Sequence, residues 1–165
     1  MTIDTFRRIL LFIVLCLAQA LVFSRIHLFH CATPLVYVYF VIILPRGTAR
    51  WAALLWSFAL GLCIDMFSNT PGLAAASMTL IGMIQPPLLE LFLPRDAESD
   101  MPSSIKTLTF SKFLSLAAIL VFIYCLVFFT IEVFSFSHIL FWLNSVIGSM
   151  LLTLIMILTF ESIRR

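Results

Sequence analysis

Long apolar blocks alternate with short polar punctuation along this chain, and most of the blocks are the length of a membrane helix. Six candidate spans stand at Ile9–Phe23, Leu28–Leu44, Trp51–Phe67, Leu73–Leu93, Phe113–Ile131 and Ile139–Phe160. A helix needs about 20 predominantly apolar residues to cross roughly 30 Å of hydrocarbon. The purely apolar part of the second block, held between Pro34 and Pro45, falls short of that, so a re-entrant hairpin competes with a full crossing there. In the fourth block Pro86-Pro87 removes two backbone donors, which predicts a kink or break near Gln85. The fifth is bulky nearly all round, which predicts that much of its surface faces lipid.

The small and polar residues are not spread evenly over these blocks. Ser57, Gly61 and Asp65 follow at i, i+4 and i+8 and so share one helix face, narrow enough for another helix to approach closely. The fourth block carries a similar stripe, Ala75, Thr79, Gly82 and Pro86; the sixth contributes Asn144, Ser145, Gly148 and Ser149, and the first Gln19. These faces are expected to form a bundle interior. Asp65 stands out among them, because an ionised Asp at the bilayer centre costs roughly 2.5–3.5 kcal/mol and usually faces a bundle, a cavity or a partner. It is followed by Ser68-Asn69-Thr70-Pro71-Gly72, a turn signal, and so is expected near a membrane exit.

Composition agrees with the pattern: 62% of the 165 residues are hydrophobic, 11% are charged, and the mean hydropathy is +1.15. The expected fold class is therefore an all-α integral membrane bundle, one polytopic domain over residues 1–165. A net charge of +2 gives no basis for a nucleic-acid surface. Where the basic residues fall matters more, because Lys and Arg collect on the cytoplasmic side. Six crossings put Arg7, Arg8, Arg46, Arg50, Arg95, Lys106, Lys112, Arg164 and Arg165 inside and leave only Arg25 outside. Both termini are then cytoplasmic. A cleavable signal ending at Ala18-Gln19-Ala20 would leave five crossings and spoil this distribution, and a twin-arginine export signal fits less well still.

Candidate chemistry is sparse. The stretch 94–107 reads as a polar cytoplasmic linker, which could also dock a partner. Cys16, Cys31, Cys63 and Cys125 lack CxxC spacing and read as small hydrophobes. His27, His30 and Cys31 crowd the first outer turn, but only His138 joins them from another outer loop, so a metal site is not expected. Glu132 stands on the outer side with Asp65, where the pair could bind a cation or sit hydrated in the headgroup zone; Glu90 has Arg95 as a possible partner. There is no phosphate loop, nucleophile elbow or metal-spaced cluster, and no enzyme activity or cofactor is expected.

Two stretches together carry a resemblance: Pro34-Leu-Val-Tyr-Val-Tyr-Phe-Val-Ile-Ile-Leu-Pro-Arg46, and Phe58-Ala-Leu-Gly-Leu-Cys-Ile-Asp-Met-Phe-Ser-Asn-Thr-Pro-Gly72 followed by Ala74, Ala75 and Ala76. They resemble MreD, the rod shape-determining membrane protein family of bacteria, particularly its Bacteroides-type members. The specific part is G-L-x-x-D-x-F-S-x-x-P-G at Gly61–Gly72; in length and layout the likeness covers nearly the whole chain. Gln85 departs from it, since many relatives place an arginine just before the proline of the fourth span. The resemblance implies a non-enzymatic inner-membrane subunit of the cell-elongation machinery that binds MreC and works with MreB, the RodA glycosyltransferase and its penicillin-binding transpeptidase in lateral peptidoglycan synthesis. It also implies a compact six-helix fold similar to the substrate-binding subunits of energy-coupling-factor transporters.

Two functional readings follow. In a scaffold, Asp65 with Asn69, Pro71 and Gly72, backed by Gly61 and Ser57, shapes a surface for MreC; the carboxylate accepts hydrogen bonds and the turn glycine permits close backbone approach. In a small transporter or ligand-binding subunit, Asp65 would instead hold a cationic substrate or a proton in an intramembrane pocket.

Overall fold

The computed structural model describes residues 3–21, 34–45, 47–70, 72–93, 109–132 and 139–164. Those residues form helices and short turns: α1 (Ile3–Leu21), α2 (Val38–Ile42), α3 (Arg50–Ser68), α4 (Leu73–Phe92), α5 (Phe110–Glu132) and α6 (Ile139–Arg164). Four of them, α3 to α6, are long and apolar enough to cross a membrane, which makes this a helical membrane protein. Helix α1 has 19 residues, but Asp4, Arg7 and Arg8 occupy its first turns. Arg25, Arg46, Pro71, the linker 94–107 and the His27, His30, Cys31 and His138 group lie outside the described residues.

Side-chain contacts fix the directions of the helices. Phe12 stacks edge-on against Trp56 at 5.7 Å and Cys16 meets Cys63, so residue numbers rise together and α1 runs parallel to α3. The chain between them therefore returns through the bundle. It does so along Leu35–Leu44: Pro34 and Val36 bond to Gln19 near the end of α1, Phe40 packs on Phe12 further back, and Leu44 bonds to Gln85. Helix α4 is antiparallel to α3, with Asp65 against Ala74 and Ala75 at one end and Ser57 beside Gly82 further along. Helix α6 follows the return segment, Thr153 meeting Leu35 and Glu161 meeting Tyr39. The first and last helices thus begin and end at the same end of the bundle. The described basic residues, Arg7, Arg8, Arg50, Lys112 and Arg164, belong to that end, each standing in the turns of its helix nearest to it.

The second block differs most from an ordinary span. Only Val38–Ile42 is α-helix; its flanks close through tighter i→i−3 bonds, Val38 N–H to Leu35 O at 3.3 Å, Tyr39 N–H to Val36 O at 3.0 Å and Leu44 N–H to Val41 O at 3.2 Å. Ten residues of such helix rise roughly 15–20 Å, short of a full hydrocarbon crossing. Every residue from Leu35 to Leu44 is at most 7% exposed, so this segment is the centre of the core. Burial of this depth explains its sequence. A segment touching protein all round has no lipid or water face and reads as an unbroken apolar run.

Helix α4 continues without a break through Pro86 and Pro87 to Phe92. Helix α5 turns a whole face inward, with Phe113, Leu116, Ala117, Leu120, Val121, Tyr124, Cys125 and Phe129 buried, because α4 and α6 both pack on it. The other bulky residues, Ile119, Phe122, Leu126 and Ile131 among them, stay exposed.

Candidate functional site

The stripe Ser57-Gly61-Asp65 becomes the seam between α3 and α4. At Gly61 the two backbones approach closely: a Cβ placed there would stand 2.6 Å from Ala75 Cα and 2.7 Å from Ala74 O. Ser57 fills the space left by Gly82 and donates its hydroxyl to Ala53 O at 2.7 Å. Both glycines bring helices together without side-chain bulk, as small residues do wherever van der Waals packing drives association in lipid.

Asp65 completes the seam. Its Oδ1 accepts the Ala74 N–H at 2.8 Å and the Thr70 hydroxyl at 3.0 Å, and its Oδ2 accepts the Ala75 N–H at 2.8 Å. The first four amides of a helix have no intrahelical acceptor, and an uncapped end at membrane depth is costly. The residue at the N-cap position of α4 is Gly72, which has no side chain to offer. Asp65 reaches across from the preceding helix and caps α4 in its place, Leu73 N–H turns to Thr70 O at 3.4 Å, and Ala76 N–H bonds Gly72 O at 3.0 Å. The carboxylate is 6% exposed, and three of its roughly four acceptor positions are filled by its own chain. Its charge also stands at the positive end of the α4 dipole.

The turn residues act through their backbones. Asn69 is the left-handed C-cap of α3, φ +56, with its N–H on Asp65 O. Gly72 has φ +82, a conformation that L side chains rarely adopt, and a Cβ there would meet nothing within 4 Å. Within the chain the close helix approach is at Gly61, while Gly72 supplies the positive φ that lets the chain reverse.

Beside this cap the outer face of the α3–α4 pair carries an apolar groove of about 510 Å³. Its floor is Gly72, Ala75, Ala76 and Thr79, and its walls are Phe58, Leu80 and Met83. Met83 is 70% exposed and Phe58 46%.

A second polar group, invisible as a motif, holds the central segment. The Gln19 amide bridges both sides of its start, Nε2 donating to Pro34 O at 3.0 Å and Oε1 accepting Val36 N–H at 3.3 Å. Thr153 Oγ1 accepts Leu35 N–H at 3.1 Å, and Gln85 Nε2 donates to Leu44 O at 3.1 Å. Inside the segment Tyr37 and Tyr124 hydroxyls bond each other, and the Tyr39 hydroxyl donates to Glu161. Thr153, Glu161 and the tyrosine pair were not singled out by periodicity. Their signal is weak, since each is one polar atom in an apolar run. Of the expected interior residues, Gln19, Ser145, Ser149, Ala75 and Gly82 are buried, whereas Asn144 is exposed and Gly148 half-buried. Glu132 and Glu90 are exposed. Among the described residues no group of His, Cys, Asp and Glu is arranged to hold a metal ion.

Compared with protein-family models, curated proteins and solved structures, the chain gives no match.

Proposed function

We propose that this chain is a non-enzymatic membrane scaffold of the bacterial cell-elongation complex, an MreD-type subunit of the inner membrane with both termini cytoplasmic. In this reading it binds MreC and through it connects to MreB, RodA and the penicillin-binding transpeptidase. Its six alternating passages are then related to the substrate-binding subunits of energy-coupling-factor transporters. The observation that supports it best is the groove on the α3–α4 pair: a floor of small residues between bulky apolar walls suits the ridge of one membrane helix, and the Asp65 cap holds its two sides in register. The residue pattern behind the resemblance, Gly61 to Gly72, spans this same hairpin. MreC's membrane segment is the occupant, and Asp65 positions the groove rather than touching the partner.

The transporter reading requires Asp65 to face a pocket and be open to a cation or proton. Its oxygens already accept three bonds from its own chain, and Leu35–Leu44 fill the centre of the bundle, which favours the scaffold.

Co-purification in mild detergent with MreC from the same cell tests the proposal. Ala76→Phe fills the groove from an exposed position and should reduce recovered MreC about tenfold, while Leu151→Phe on the lipid face of α6 should not. Equal recovery with both variants, each monodisperse, would remove the groove as the contact surface.

A further inference from the structure

We infer that Cys16 and Cys63 form a redox-active thiol pair, which a hydroperoxide converts into a disulfide that ties α1 to α3. This goes beyond the scaffold reading and does not depend on it. Both cysteines carry free thiols, and the fold brings the two side chains into hydrogen-bonding contact. The parallel run of α1 and α3 makes the meeting, with Phe12 against Trp56 one turn before Cys16 and two turns before Cys63. A thiol contact across two packed helices places the sulfurs face to face. Rotation about χ1 with a small approach of the helices then brings them to a bonding distance of about 2.05 Å. Spacing along the chain gives no sign of this pair, because the contact is made by the fold.

The two thiols are unequal, and that assigns their roles. Cys16 is buried, whereas Cys63 is half-buried beside the exposed Leu62 and Met66. Cys63 lies about 7 Å before the end of α3 at 1.5 Å per residue, a level that a small neutral peroxide reaches. Its sulfur, as thiolate, attacks one peroxide oxygen; the O–O bond breaks, Cys63 becomes a sulfenic acid, and the leaving alkoxide takes up the proton that Cys63 gave up. The Cys16 sulfur then attacks the Cys63 sulfur, the S–S bond forms, and the S–O bond breaks to release water carrying the Cys16 proton. Two thiols and one hydroperoxide thus give one disulfide, one alcohol and one water, the two electrons passing from sulfur to the peroxide oxygens. Cys125 is fully buried on α5 and closed to the oxidant. The bond would act on the elements already described. Gln19, which holds Pro34 and Val36, stands one turn after Cys16, and Asp65, which caps α4, stands two residues after Cys63. The disulfide closes a loop that contains the whole of Leu35–Leu44 and so locks the central segment to α1 and α3.

The test uses the full chain in detergent, reduced, then treated with tert-butyl hydroperoxide, digested without reductant and mapped by mass spectrometry. The expected product is a peptide pair joined through Cys16 and Cys63, with Cys125 still open to alkylation after unfolding. Oxidation should raise the melting midpoint by roughly 5–10 °C, and reductant should return it. Cys16→Ser should carry a dimedone-reactive sulfenic acid on Cys63 in place of the disulfide, Cys63→Ser should leave Cys16 unoxidised, and Cys125→Ser should behave as wild type. The proposal falls if Cys16 and Cys63 stay unlinked in wild type, or if either pairs instead with Cys31, Cys125 or a second chain. It falls equally if Cys63 gives no sulfenic acid in Cys16→Ser, if Cys16 is oxidised as fast in Cys63→Ser, or if the linked protein melts no higher than the reduced one. The wild-type map and melt need no variant, so they decide the matter even where a serine form fails to fold.

Discussion

Asp65 and Ala75 are ten positions apart and joined by a 2.8 Å bond from the Ala75 amide to Asp65 Oδ2, so that the end of one membrane helix caps the start of the next. Two needs are met by one contact. The carboxylate finds donors in a place where water is scarce, and the helix finds acceptors in a place where its own N-cap residue, Gly72, has none. An acid that looks like a binding group in an apolar stretch is here part of a helix hairpin.

Asp65→Ala should therefore destabilise the fold before it affects any partner. It removes three hydrogen bonds to a charged acceptor and leaves the Ala74 and Ala75 amides unpaired, a loss of about 2–4 kcal/mol. Asp65→Asn keeps one carbonyl but turns an amide donor toward a backbone donor, and should fall between wild type and Ala. Thermal unfolding in detergent, followed by size-exclusion fluorescence, reads both. An Asp65→Ala protein as stable as wild type would contradict the cap.

Gly61→Ala tests the seam one helical turn earlier. The new Cβ would stand 2.6–2.8 Å from backbone atoms of Ala74 and Ala75, which cannot rotate away as a side chain can. The helices must separate, at a cost of about 1–3 kcal/mol. Separation also lengthens the Asp65 bonds, so the double variant Gly61→Ala/Asp65→Ala should lose less than the sum of the singles. Additive losses in the same unfolding assay would show that the contact and the cap are independent.

Gly82 offers the opposite case, in which the obstruction is a side chain. A methyl group there meets Ser57 Oγ and Cβ, the latter at 2.9 Å, while Ala53 O stands at 3.3 Å. Gly82→Ala alone should cost about 1–3 kcal/mol. Ser57→Gly in the same chain should restore much of it, because the space is exchanged between facing helices. No recovery on melting the double variant would mean that backbone, not Ser57, sets the spacing.

How much of this was legible in the sequence depended on whether a residue's partner lies close along the chain. The Asn69–Gly72 turn and the Ser57-Gly61-Asp65 face are local patterns, and both are present in the fold. That Asp65 caps α4 was within reach too, since Gly72 precedes a helix with no acidic or hydroxyl residue to cap it. The short central segment was harder. Its prolines marked its ends, but its tightened helix follows from contacts with Gln19, Thr153 and Gln85, which lie 15, 118 and 41 positions from their partners. Glu161 closes the list for the same reason: its hydroxyl donor, Tyr39, is 122 positions away.

The central segment is held in this form by side chains of its neighbours, and that makes Gln85 the sharpest place to test it. Leu44 O belongs to the last turn of a short helix ending inside the bundle, before Pro45, where no residue of the same helix can donate to it. Gln85→Met keeps the volume and removes the donor, leaving a buried carbonyl unsatisfied at about 1–3 kcal/mol. Gln85→Glu keeps the length and replaces the donor by an acceptor facing an acceptor, and should cost at least as much. Gln19→Met should be the more damaging of the two methionine variants, because that amide serves Pro34 O and Val36 N–H together. Hydrogen exchange followed by mass spectrometry locates the effect: faster exchange confined to residues 38–44 in Gln85→Met, and to residues 35–39 in Gln19→Met, is the expected result. Unchanged exchange in both would mean that apolar packing alone keeps the segment in place.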